Sequence, residues 1–145
     1  MTQADTETQT LVLERDLRHP PEKIWRAITQ PHLIAEWLMQ NDFEPQVGRK
    51  FNLRWENNGM SGVIDAEVLR LEPGRTLAYS WCSMGADTVV TFSLTPTAGG
   101  THLRMEQSGF RSDRPQNYQG AKWGWSGFLE KLDQLLARED RGGLQ

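Results

Sequence analysis

The spacing of hydrophobic residues along this chain changes period twice, and the three stretches so defined predict different elements. Leu11, Leu13 and Arg15 alternate with Val12, Glu14 and Asp16, which predicts a short strand. Residues 1–9 are polar, rich in Thr and without a period, and read as a disordered lead-in. Pro20-Pro21-Glu22 then signals a helix start, because proline is tolerated in a first turn and an acid suits the positive end of the dipole. Ile24, Trp25 and Ile28 follow at helical spacing. Pro31 ends this helix and opens a second, with Leu33, Ile34, Trp37 and Leu38 on one face.

From about residue 50 the period becomes two. Phe51, Leu53 and Trp55 form one face of a strand, and Asn57-Asn58-Gly59 is a hairpin turn signal because Asn and Gly accept positive φ. Ile64, Ala66 and Val68 continue the alternation, which slips at Leu69 and Leu71 and so predicts a bulge or strong bend. After the turn at Glu72-Pro73-Gly74-Arg75, Leu77, Tyr79 and Trp81 share a face. Val90, Phe92 and Leu94 make the next strand, and Leu103 and Met105 the last.

Beyond Phe110 the helical period returns. Trp125, Phe128, Leu129, Leu132, Leu135 and Leu136 fall on one stripe of a helix expected from near 115 to near 138, stopped by Gly142-Gly143. A single long helix with one apolar face needs one large surface to bury it. A twisted antiparallel sheet with a concave face can supply that surface. The expectation is an α+β domain over residues 10–140, followed by a tail over 141–145. It would hold a curved six-stranded antiparallel sheet around the C-terminal helix, with two short helices after the first strand.

Composition narrows the function. The 145 residues carry a net charge of −3 and no run of Lys and Arg longer than two, so nucleic acid is not an expected partner. No apolar stretch approaches the about 20 residues of a membrane span, and the first residues lack the basic and apolar regions of a secretory signal. A single cysteine, Cys82, fits a reducing compartment, so the cytoplasm is the expected location. The unusual feature is six tryptophans, which suggest an aromatic-lined pocket.

The segment from Pro21 to Pro31, with Ile24-Trp25-Arg26-Ala27-Ile28 inside it and Trp37 after it, resembles the opening of the SRPBCC (START-like) superfamily. More narrowly, it resembles the branch named after the C-terminal domain of the activator of the heat-shock protein 90 ATPase. Val68-Leu69-Arg70-Leu71-Glu72-Pro73, Leu77-Ala78-Tyr79-Ser80-Trp81, Val90-Thr91-Phe92-Ser93-Leu94, Gly100-Thr101-His102-Leu103-Arg104-Met105, Ser108-Gly109-Phe110 and Gly124-Trp125 carry the likeness across residues 10–138. The resemblance implies a helix-grip (START-like, Bet v-like) fold with a cavity between sheet and long helix. Its relatives include lipid carriers, polyketide aromatases and cyclases, antibiotic-resistance proteins and co-chaperones.

Trp55, Tyr79 and Trp81 are expected to look toward the long helix, and Trp125 to look back. With Trp37 and Met105 they should wall one void, with Gln107 and the Tyr79 hydroxyl as its polar groups. The expected ligand is a small, largely apolar or aromatic molecule of drug-like size. A chaperone-associated interaction module and an aromatase- or cyclase-like enzyme are the alternatives; the enzyme would need an acid–base group inside the cavity. No catalytic residue, metal ligand or cofactor is expected. His19, His32 and His102 are far apart, the first two are placed at helix starts near the surface, and His102 is placed solvent-side. Cys82 reads as a packing thiol, while Asp65, Glu67, Arg104 and Glu106 should lie on the outer face.

Overall fold

Strand alternation and helical stripes assemble into one sheet folded against three helices. The structure, a computed structural model, describes residues 8–83 and 86–141, the last three by backbone alone. In chain order the elements are β1 (Thr8–Leu17), α1 (Pro21–Thr29), α2 (Pro31–Trp37), β2 (Gln40–Asn41), β3 (Lys50–Asn57), β4 (Met60–Glu72), β5 (Thr76–Ser83), β6 (Ala86–Thr97), β7 (Gly100–Arg111) and α3 (Pro115–Arg141). The strands form one antiparallel sheet in the order β1-β7-β6-β5-β4-β3-β2. It has seven strands rather than the expected six. The addition is β2, whose two residues pair with Arg54 and Leu53 and are too few to display a period.

Three boundaries differ in detail. Thr8 and Gln9, expected in the lead-in, belong to β1, and residues 1–7 lie outside the described residues. α3 reaches Arg141, and the expected Gly142-Gly143 stop also lies outside them. The slip anticipated at Leu69 is a register shift between Val68 and Arg70, which turns Leu69 out to solvent.

One face of the sheet is apolar because its strands agree in phase. Leu53, Ile64, Val68, Leu77, Phe92, Leu103, Met105 and Leu11 are buried on it. Asp65, Glu67, Arg104 and Glu106 alternate away from them, as expected. α3 lies against this face with Trp125, Leu129, Leu132, Leu135 and Leu136 buried. α1 and α2 close the remaining side. Trp37 donates its indole N–H to the Ala27 carbonyl (2.9 Å), tying α2 to α1, and its ring meets Phe92 edge-on at 6.2 Å. Lys23 reaches from α1 to the Leu136 carbonyl (2.8 Å), joining α1 to the late turns of α3. His19 lies 3.2 Å from the Lys23 ammonium and is buried, contrary to its expected surface position. Its backbone carbonyl accepts from Thr101 of β7 (2.7 Å), a distant contact the local Pro-Pro signal could not convey.

At the centre of the sheet Phe43, Phe51, Tyr79 and Phe92 pack ring against ring at 5.1–6.4 Å. Burial pushes the proton affinity of the Tyr79 phenol well above its ordinary value. Its hydroxyl has no hydrogen-bond partner among the described residues. A buried hydroxyl without a partner adds nothing to the packing that Phe would not supply. Tyr79→Phe should therefore leave stability unchanged or raise it by up to about 1 kcal/mol. A urea midpoint that fell by more than this would reveal a partner for the hydroxyl.

On the outer face His102 bridges two acids of β1, Asp16 (2.7 Å) and Glu14 (2.6 Å). Asp16 first, then Glu14, holds its proton affinity above the ordinary histidine value. A group whose pKa is raised on folding stabilises fully below its unfolded pKa, here about 6.5, and loses that contribution as pH rises through the folded value. Wild-type protein should therefore lose some stability between mildly acidic and mildly alkaline pH, and His102→Gln should lose less. Urea midpoints at the two pH values check this; parallel curves for both proteins would refute it.

Candidate functional site

A cleft opens where the phase of β7 breaks. Met105 and Gln107 point inward, and strict alternation would send Gly109 inward next. Instead the β1–β7 register shifts between Gln9 and Thr10, Gly109 is bulged out, and Phe110 takes the inward position. Gly109 sits at φ +102°, where a Cβ would stand 2.9 Å from the Asp87 carbonyl oxygen, so both conformation and space require glycine. Phe110 is thereby aimed at the first turns of α3, where its ring meets Tyr118 edge-on at 5.8 Å.

α3 is unequal along its length. Its second half presents leucines to the sheet. Its first half presents Asn117, Gly120, Ala121 and Gly124 at helical spacing, which fill little volume. A Cβ added at Gly120 or Gly124 would meet nothing within 4 Å. The sheet below cannot rise to meet a helix without side chains, so a void of about 190 Å³ remains. Trp81, Phe110, Trp125 and Phe128 wall it, and Thr88 and Gln107 form its polar base.

That base is one connected network. Trp125 donates its indole N–H to Gln107 Oε1 (2.8 Å), Gln107 Nε2 donates to Thr88 Oγ1 (2.8 Å), and Thr88 donates to the Trp81 carbonyl oxygen (2.8 Å). Trp125 and Gln107 are each 2% exposed. The ring of Trp125 also contacts Trp81 (5.2 Å), Phe128 (5.5 Å) and Phe92 (5.8 Å). Among the described residues, no side chain lining the cleft carries a charge. The arrangement can hold an apolar ring and make a hydrogen bond to it.

Of the seven residues proposed from sequence, Trp81, Gln107 and Trp125 line this cleft. Trp37, Tyr79 and Met105 are buried in the core beside it and do not reach it. Trp55 lies elsewhere: its indole crosses Gly62 of β4, where a Cβ would come within 2.5 Å of the ring, beside Gln40, Arg54 and Val63. The filled core explains why the cleft is smaller than the roughly 300–1,000 Å³ of drug-sized sites. Thr88, Phe110 and Phe128 were missed, although the helical stripe of α3 already included Phe128. Thr88 lies two residues before Val90 on its inward face, so alternation marked it. Phe110 was hidden because the bulge inverts its parity.

Other reactive side chains stand apart. Cys82 is half-buried on the outer face, and burial first, then Asp87 and Asp65, pushes its thiol pKa up. His32 is exposed at the start of α2. Among the described residues no group of three or more His, Cys, Asp or Glu could hold a metal ion, and no helix is long and apolar enough to cross a membrane.

A curved antiparallel sheet closed around a long C-terminal helix, with a cleft between them, is the helix-grip arrangement. The family model for activator of Hsp90 ATPase homolog 1-like protein matches residues 18–137, and the chain belongs to that family. Among solved structures it is similar to protein MLL2253 from Mesorhizobium loti, with 57% identity over 90% of this chain and 98% of that one and a TM-score of 0.85. Protein CV1439 from Chromobacterium violaceum is 25% identical, covering 88% of this chain and 96% of that one, with a TM-score of 0.77. CalU16 from Micromonospora echinospora is 25% identical, covering 93% and 80%, with a TM-score of 0.76. No curated protein matches the chain.

Two substitutions should move stability in opposite directions. Trp125→Ala removes a fully buried indole of the site and leaves Gln107 Oε1 without its donor, and should cost about 3–5 kcal/mol. Gly124→Ala adds a helix-favouring methyl where nothing stands within 4 Å, and should add about 0.5–1 kcal/mol. Denaturant titrations of both variants check the pair.

Proposed function

We propose that this protein binds a small, largely apolar aromatic molecule in the cleft between β5–β7 and the first half of α3. The observation that carries this reading is the void itself: about 190 Å³, walled by aromatic rings, over a single buried amide. An apolar cavity of roughly 150 Å³ accepts benzene, so this one suits a single substituted ring. Drug-like size, the expectation from sequence, is replaced by this smaller class. Membership in a family with a polyketide cyclase-like fold supports ligand binding without naming a ligand. The uncharged lining favours binding over cyclase-like catalysis. A lone cysteine supports placement in the cytoplasm.

Contact with a chaperone is a second reading. Trp123, 84% exposed on α3, favours it, because so large an apolar side chain in solvent suits a protein contact. The two readings separate on one variant. Ala121→Leu fills the cleft and leaves Trp123 untouched. In the binding reading, single-ring aromatics quench wild-type tryptophan fluorescence and raise its Tm by mass action, whereas Ala121→Leu responds to none of them although it is folded. Equal responses from both proteins would place the ligand elsewhere, and no response from either would leave the chaperone contact as the better reading.

A further inference from the structure

The polar base of the cleft has a fixed direction. Tryptophan N–H can only donate, so the Gln107 atom that meets Trp125 Nε1 must be the carbonyl oxygen. The other arm of the amide is therefore the nitrogen, and it donates one hydrogen to Thr88 Oγ1. Thr88 commits its own hydrogen to the Trp81 carbonyl. Neither end of the chain can reverse, because an indole cannot accept and a backbone carbonyl cannot donate.

One hydrogen of Gln107 Nε2 is left over. It has no partner among the described residues, on a side chain that is 2% exposed and forms part of the cleft lining. Buried N–H groups without a partner are rare, whereas carbonyl and hydroxyl oxygens with a spare lone pair are common. The group that gains most from a ligand is thus a donor. Among the described residues no Lys, Arg or His lines the cleft, so an anionic acceptor would be buried without a counter-charge.

We infer that the cleft selects a neutral single-ring aromatic bearing a hydrogen-bond acceptor, such as an aryl ketone or aldehyde, with its oxygen on Gln107 Nε2 and its ring among Trp81, Phe110 and Phe128. This rests on the cleft being a binding site. It adds that Gln107 determines specificity, and that Trp125 and Thr88 act through it by holding the amide in one orientation.

The test compares three probes of similar size on the full chain, by titration of the tryptophan indole N–H signals in NMR. Acetophenone has a neutral acceptor, ethylbenzene has none, and benzoate carries charge. Acetophenone should bind about tenfold or more tighter than ethylbenzene, with the Trp125 signal shifting, and benzoate should bind more weakly than acetophenone. Gln107→Met keeps the volume and removes the donor, and should erase the preference for acetophenone. Equal affinity for acetophenone and ethylbenzene would overturn the selection rule while leaving the cleft a binding site. Tighter binding of benzoate would also overturn it. Binding of none of the three would overturn the site as well. Should Gln107→Met fail to fold, the wild-type comparison decides alone.

Discussion

An indole N–H buried among apolar rings must be paired, and in this protein that requirement fixes how the helix meets the sheet. Trp125 is the largest side chain α3 contributes to the core, and its donor finds Gln107 Oε1. Turning α3 by one residue, about 100°, would carry the indole away from β7 and leave a donor and an acceptor unpaired in the interior. The leucines at 129, 132, 135 and 136 supply area but no such discrimination, since apolar contact is non-directional. Trp37 does the same for the small helices, through the Ala27 carbonyl, and its ring meets Trp125 at 6.5 Å. Two indole hydrogen bonds thus orient all three helices about one aromatic cluster.

With α3 held in this way, its composition decides where the interior is solid and where it is open. Leucine at helical spacing fills the space over β7 and β1. Glycine and alanine at the same spacing cannot fill the space over Trp81 and Thr88. The bulge at Gly109 adds to the effect by swinging Phe110 toward the helix, so that the opening acquires a wall as well as a roof. Both features carry a cost in stability: helical glycines lose more conformational freedom than alanine, and a bulge forfeits regular pairing. At Gly120 and Gly124 packing does not require the glycine, since a methyl would meet open space.

The chemistry of the cleft follows from where charge was placed. Asp65, Glu67, His102, Arg104 and Glu106 all alternate outward, and among the described residues the polar groups lining the cleft are amides, hydroxyls and indoles. The helix-grip fold hosts carriers, enzymes and co-chaperones, so the fold alone does not choose among them. The side chains of the cleft are what bear on that choice.

Much of the architecture was legible along the chain because periodicity is a local property. The change to alternation near residue 50, its slip at Leu69 and the helical stripe from Trp125 to Leu136 each follow from residues a few positions apart. So did the inward direction of Trp81, Gln107 and Trp125. What the sequence could not determine depends on residues far apart in it. The two-residue β2 exists because β3 offers it an edge, and His19 is buried beside Lys23 and Thr101, which lie 4 and 82 positions away. The bulge at Gly109 is set by β1 and Asp87, and it gives Phe110 a direction its own neighbours do not predict. Whether a set of aromatic residues encloses a void or fills it is likewise a matter of volumes summed over β5, β6, β7 and α3. Side-chain direction is fixed by the local backbone, but empty space is fixed only by everything that surrounds it.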